Sequence, residues 1–152
     1  MKNNKFNINN NSSINMKNCN NTLIIPIITY FNIDTNKCTI LKENISKSGV
    51  YRLINKINGK SYIGSFIYLS NEFSNYYYLN SLTLKVKGSI IIYRALLKYG
   101  YKNFSLYIID YCESNMLRKR EQYYIDKVKP EYNIKKNNEN NLRYKHSGSQ
   151  NK

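Results

Sequence analysis

Residues 49 to 66, Gly49-Val-Tyr-Arg-Leu-Ile-Asn-Lys-Ile-Asn-Gly-Lys-Ser-Tyr-Ile-Gly-Ser-Phe66, constrain the fold more than any other stretch. Two short apolar and aromatic runs flank Asn58-Gly59, a dipeptide that suits a two-residue type I′ turn because both positions tolerate positive φ. Val50, Arg52 and Ile54 alternate with Tyr51, Leu53 and Asn55, the period of a strand. A hairpin closed at Asn58-Gly59 brings Tyr51 and Tyr62 onto neighbouring strands. Gly49 and Gly64 mark places where another backbone or a ligand can approach closely.

At these residues the chain resembles the GIY-YIG nuclease family, with Gly49-Val50-Tyr51 as its first motif and Tyr62-Ile63-Gly64 as its second. Ten residues lie between the two tyrosines, and the expected turn falls where the family has one. The resemblance extends over roughly residues 30 to 136. It implies an α+β fold, a small three-stranded antiparallel sheet flanked by helices.

Charge points the same way. The chain of 152 residues carries 24 Lys and Arg against 9 Asp and Glu, a net charge of +15. Such a field attracts phosphate polymers, which makes nucleic acid the leading partner and an anionic membrane surface the plainer one. The 16 tyrosines, with abundant Asn, Lys and Ile, are all written with adenine- and thymine-rich codons, so an organelle genome explains them without reference to function. Cys19, Cys38 and Cys112 are scattered and contain no Cys-x-x-Cys pair, so they read as free thiols in a reducing compartment. With His146 as its single histidine, the chain cannot build a His cluster.

In chain order, residues 1 to 21 form an Asn-rich leader, too polar to offset chain entropy by burial. They lack Arg and apolar periodicity, so they make a poor presequence. Leu23 to Phe31 is apolar, too short for a bilayer and broken by Pro26; it reads as a single strand or as the remnant of a fused upstream product. Residues 22 to 48 are a lead-in whose Tyr30–Ser48 part resembles fungal mitochondrial members of the family and suggests an extra strand before the hairpin. The nuclease-like domain then runs from 49 to 136, and a basic polar tail from 137 to 152. Within the domain, spacing predicts a helix in Phe66 to Leu82 and a clearer one, Ile91 to Tyr99, stopped by Gly100. Asn103 to Cys112 reads as a strand that is apolar on both faces, as a covered central strand would be. Ser114 is the expected N-cap of a last helix that ends before Pro130, with Leu117, Tyr124, Ile125 and Val128 on its packing face.

Phosphodiester hydrolysis needs an activated water, a cation against the developing charge and a grip on the phosphate. The resemblance supplies candidates. Arg120-Glu121-Gln122-Tyr123-Tyr124 matches the family's last-helix motif, making Glu121 the expected ligand of Mg²⁺ or Mn²⁺. Read without the motif, Glu121 is one charge on a solvated face beside Lys119 and Arg120. Tyr51 and Tyr62 are expected to line the site and orient or deprotonate the water. A free phenol is ionised about once in a thousand at neutral pH, so orientation is the easier task. Asn133, in Tyr132-Asn133-Ile134, aligns with a supporting asparagine. Where the family carries an arginine that grips the phosphate, counting forward from Tyr62 reaches Glu72. Loss of such an arginine costs about 10³ to 10⁵ in rate in comparable phosphoryl chemistry. Tyr68 replaces the polar residue usual at that helix start.

The tail segment Leu142-Arg-Tyr-Lys-His-Ser147 resembles the start of a DNA-binding repeat, or is simply an unstructured basic tail. Three readings follow: an intron-homing endonuclease of a fungal mitochondrion cutting double-stranded DNA as a monomer without a membrane; an impaired relative that binds nucleic acid and aids intron RNA; or an eroding reading frame.

Overall fold

In the computed structural model, residues 23–78 and 90–133 are described. The leader 1–21, the tail from 137 and Gly88-Ser89, with which the sequence reading opens the helix Ile91 to Tyr99, lie outside them. The elements are β1 (Ile28–Tyr30), α1 (Lys37–Glu43), β2 (Gly49–Asn55), β3 (Ser61–Phe66), α2 (Leu69–Tyr77), α3 (Ile90–Tyr99), β4 (Phe104–Tyr111) and α4 (Leu117–Val128). Among the described residues, no helix is long and apolar enough to cross a membrane.

The sheet is antiparallel with the order β1-β4-β2-β3, so it has four strands and not the expected three. β1 satisfies the edge of β4 that β2 leaves open, pairing Ile28 with Ile108 and Tyr30 with Leu106. At three residues it is too short to display an alternation. The lead-in after it forms the helix α1, not a strand. Asn32 starts the turn into α1 by accepting the amides of Asp34 and Thr35, and Ile40 alone on that helix is fully buried.

The hairpin forms with a different turn. Ile54 pairs with Ser61, and the Asn55 amide donates to the Lys60 carbonyl. The loop is therefore Lys56 to Gly59, four residues long, with only Gly59 at positive φ (71°). Asn58 contributes through its side chain, which accepts the Lys60 amide at 3.0 Å.

One face of the sheet holds the main core, where Tyr30, Tyr51, Leu53, Phe104, Leu106 and Ile108 meet α1, α2 and α3. The other face is thinner: Val50, Ile63 and Ile109 lie under Tyr124, Ile125 and Val128 of α4. β4 is interior as its double apolarity predicts. A register shift between Val50 and Tyr51 pairs Tyr51 with Ile108 but Val50 with Asp110, leaving Ile109 as an extra residue. The bulge turns Asp110 onto the α4 face and Tyr111 onto the opposite one, reversing the simple alternation. Gly49 makes it possible: a Cβ there would stand 2.2 Å from the Asp110 carbonyl oxygen.

The starts of α1, α2 and α4 all lack side-chain caps. Tyr68 at the start of α2 makes none, and the backbone carbonyls of Lys47 and Asn44 instead accept the Leu69 amide at 2.9 Å and the Ser70 amide at 3.3 Å. Ser114 does not cap α4; it opens a 3-10 turn, Ser114–Met116, that leads into the helix. At its end Lys129 adopts the left-handed conformation ahead of Pro130.

Gly49→Ala should cost about 3 kcal/mol or more, because backbone must move. Gly59→Ala, with nothing near the added methyl, should cost only about 1 kcal/mol for its left-handed φ. Urea denaturation of both variants checks the difference; equal losses would remove the bulge from the account.

Candidate active site

Register puts Tyr51 opposite Gly64 and Leu53 opposite Tyr62, so both motif tyrosines share the main-core face. Tyr51 lies across Gly64, where a Cβ would be 2.6 Å from the phenol oxygen and 2.7 Å from Cζ. That is the physical reason for glycine in the second motif. The Tyr51 ring meets Phe73 edge-on at 5.0 Å and Tyr62 at 6.3 Å between centroids. Its hydroxyl shares a 2.6 Å hydrogen bond with that of Tyr76 and donates more weakly to Glu72 at 3.5 Å.

Tyr51 is 1 % exposed and Tyr76 is 3 % exposed. Burial, then the neighbouring Tyr62 and Glu72 among other charges, pushes both phenols well above their ordinary value. Tyr93 is raised too, by burial first and by Glu72 second. Tyr62 is only half-buried. Glu72, half-buried on α2, thus faces a cluster of tyrosines from the position where the resemblance expects a cation. In this arrangement Tyr51 is no phenolate base at neutral pH.

Glu121 and Asn133 reach β3 from the other direction. Alternation along β3 turns Ile63 and Ser65 toward α4, and the Ser65 hydroxyl donates to Glu121 Oε2. Asn133 grips the strand's outer edge: its Oδ1 accepts the Ile63 amide at 2.8 Å and its Nδ2 donates to the Ile63 carbonyl at 2.7 Å. Glu131 accepts the Ser61 amide at 2.9 Å, and the Tyr132 amide donates to the Ser61 carbonyl at 3.0 Å. The Tyr132 hydroxyl accepts from Asn55 at 3.0 Å and from Asn58 at 3.3 Å, tying the same segment to the hairpin loop.

The expected residues therefore form two groups on one strand. Tyr51, Tyr62 and Glu72 gather on its inner face, and Glu121 and Asn133 attach to it from the α4 side and the edge. Sequence reading missed Ser65, Glu131 and Tyr76. Ser65 was accessible from alternation, since it follows Ile63 by two; Tyr76 follows Glu72 by one helical turn. Beside Glu121, Arg120 Nε stands 3.6 Å from Asp110 Oδ2, a pairing that only the bulge permits.

Glu121 fits a hard divalent cation. It is a half-buried carboxylate on a rigid helix, with the Ser65 hydrogen bond engaging Oε2. Among the described residues no three His, Cys, Asp or Glu side chains cluster as a metal cage. A hard divalent cation that keeps several of its waters would need no more than one or two carboxylates of such an open site.

No family model matches the chain. It is 32% identical over 135 residues to the probable intron-encoded endonuclease 1 of Neurospora crassa, covering 81% of this chain but only 42% of that protein. Among solved structures it is similar to the catalytic domain of the homing endonuclease I-TevI, at 26% identity and a TM-score of 0.45, covering 55% of this chain and 89% of that domain. A mutant of the same I-TevI domain gives 25% identity and a TM-score of 0.45, over 55% of this chain and 84% of that one.

Neutral, buried phenols have a consequence for stability. Below the ordinary tyrosine value of 10, Tyr51 and Tyr76 are protonated whether the chain is folded or not. Above it the unfolded chain ionises and the folded chain does not, so stability should fall as pH rises beyond about 10. Urea midpoints across that range, read beside phenolate absorbance, check this; full phenolate absorbance in a chain still folded would refute it.

Gly49-Val50-Tyr51 and Tyr62-Ile63-Gly64 are thus paired on adjacent strands, Gly64 is shaped around the Tyr51 ring, and Glu121 and Asn133 are fastened to the second motif. The arrangement is consistent with the GIY-YIG motifs that these residues resemble, in a chain similar to an intron-encoded endonuclease of which it spans 42%.

Proposed function

We propose that the chain is the nuclease part of a metal-dependent DNA endonuclease of the intron-homing kind, slowed by the carboxylate at position 72. The observation that carries this reading is the attachment of Glu121 and Asn133 to β3, the strand of the second motif. The chain spans 42% of the length of the Neurospora relative, whose name gives intron-encoded endonuclease activity.

A Mg²⁺ or Mn²⁺ ion held by Glu121 would neutralise charge at the phosphate and lower the pKa of a bound water. The chain's own residues do the rest. Ser65 fixes the Glu121 carboxylate, and Asn133 locks the strand that carries Ser65. Tyr62, half-buried on the inner face of β3, is the motif tyrosine with access to solvent, and it can meet an attacking water only around the edge of that strand, since Glu121 attaches from the other face. Tyr51, sealed beneath it, holds Tyr62 in place through ring contact. Glu72 opposes the reaction, since a carboxylate about 4 Å from a phosphate repels it by up to a few kcal/mol at a surface-like dielectric. Double-stranded DNA is the substrate this chemistry fits, bound by a monomer through a net charge of +15. An adenine- and thymine-rich coding composition and the Neurospora relative support a fungal mitochondrion as its place.

Glu72 favours one second reading: a relative that binds DNA or intron RNA without cutting. Plasmid nicking in Mg²⁺ by the native chain, Glu121→Ala and Glu72→Arg separates the two. Slow nicking by the native chain, none by Glu121→Ala and a rise toward about 10³-fold in Glu72→Arg are expected. Nicking by none of the three would give the second reading the field.

A further inference from the structure

The sheet ends in an open cleft that none of the expected site residues lines. Its volume is about 720 Å³, and its walls are Ser46 to Ser48, Ile67, Tyr68 and the stretch Tyr111 to Ser114. The cleft adjoins the Glu121 end of the molecule. Ser65, which holds Glu121, is two residues before Ile67, and Ser114 opens the turn that leads into α4.

Its parts suit one kind of occupant. Lys47 Nζ sits 5.0 Å from the centroid of the Tyr111 ring, so an exposed cation is held against one wall. The Tyr111 ring is itself anchored, its hydroxyl donating to the fully buried Asn44 at 3.2 Å. Tyr68 is 52% exposed at the start of α2, so among the described residues its ring offers an aromatic surface to solvent. Ser48 Oγ, shielded from solvent, has no hydrogen-bond partner among the described residues. Among the described residues Glu113 is the one acidic wall, and it repels a phosphate from its own side, which directs the phosphate toward Lys47.

We propose that this cleft takes one unpaired nucleotide of a DNA strand, the base stacked on Tyr68 and its phosphate on Lys47. The cleft has room for a nucleotide but not for a duplex, so the base enters only after leaving the stack. Stacking on an aromatic side chain accepts any base, and the lysine contact reads only the backbone. The cleft thus selects distorted or single-stranded DNA beside the candidate active site, not a sequence. This inference rests on the DNA-endonuclease reading for its partner.

The test is fluorescence anisotropy of a labelled oligothymidylate across a salt series. Tyr68→Leu should weaken binding about tenfold and Tyr68→Phe should not, since stacking needs the ring. Lys47→Ala should lower the slope of log affinity against log salt by about 0.7, the loss of one single-strand phosphate contact. Lys98→Ala, on α3, should leave that slope near the native one, apart from long-range charge. Equal binding by Tyr68→Leu and the native chain, or an unchanged slope in Lys47→Ala, would overturn the proposal. Tighter binding of an oligouridylate would overturn the assignment to DNA. Loss of the cleft's effects with Glu121-dependent nicking intact rejects the cleft alone. Cleft-dependent binding with no nicking by any variant rejects the enzyme reading alone.

Discussion

An edge strand exposes every second backbone amide and carbonyl, and β3 is such an edge. Here the exposed groups are taken by residues that come 70 positions later: Asn133 pairs with both polar groups of Ile63, and Glu131 and Tyr132 with those of Ser61. The side chain of Asn133 acts as a one-residue strand. Four hydrogen bonds thus hold the segment after α4 on the strand of the second motif. Ser65 then extends the same attachment to α4 through Glu121.

The chemistry divides along that strand. On its inner face Tyr51, Tyr62, Tyr76 and Tyr93 gather about a carboxylate, and burial keeps the phenols of Tyr51, Tyr76 and Tyr93 neutral. On its outer side Glu121 and Arg120 descend from α4 to β3 and β4, with Val50 between their partners Ser65 and Asp110. A single substitution at position 72 therefore changes the sign of the charge on one side of β3 while the other side keeps its scaffold.

The hairpin was legible in the sequence because alternation and Asn58-Gly59 agree on where the chain reverses. Its register was not. A two-residue loop would set Tyr51 opposite Phe66, whereas the four-residue loop sets it opposite Gly64. The faces survive, because the two registers differ by an even number. The bulge at Ile109 had a visible trace only on the facing strand, in Gly49, since nothing in β4 itself breaks the apolar run. The extra strand expected before the hairpin from Tyr30–Ser48 lies at Ile28–Tyr30, at the edge of that stretch, and the helix α1 inside it went unread because it buries only Ile40, too little pattern for a helical period. The position of Glu72 among tyrosines depends on the packing of α2 over β2, which no local pattern encodes.

The two margins of the sheet differ in kind. At β3 the ladder is closed by the chain's own later residues. At the β1 margin nothing among the described elements pairs beyond it, and Leu23, Ile25, Ile27 and Phe31 stand exposed along it. Among the described residues, then, a strand added beside β3 would have to displace the partners of Ser61 and Ile63, whereas one added beside β1 would meet apolar side chains and no such partners.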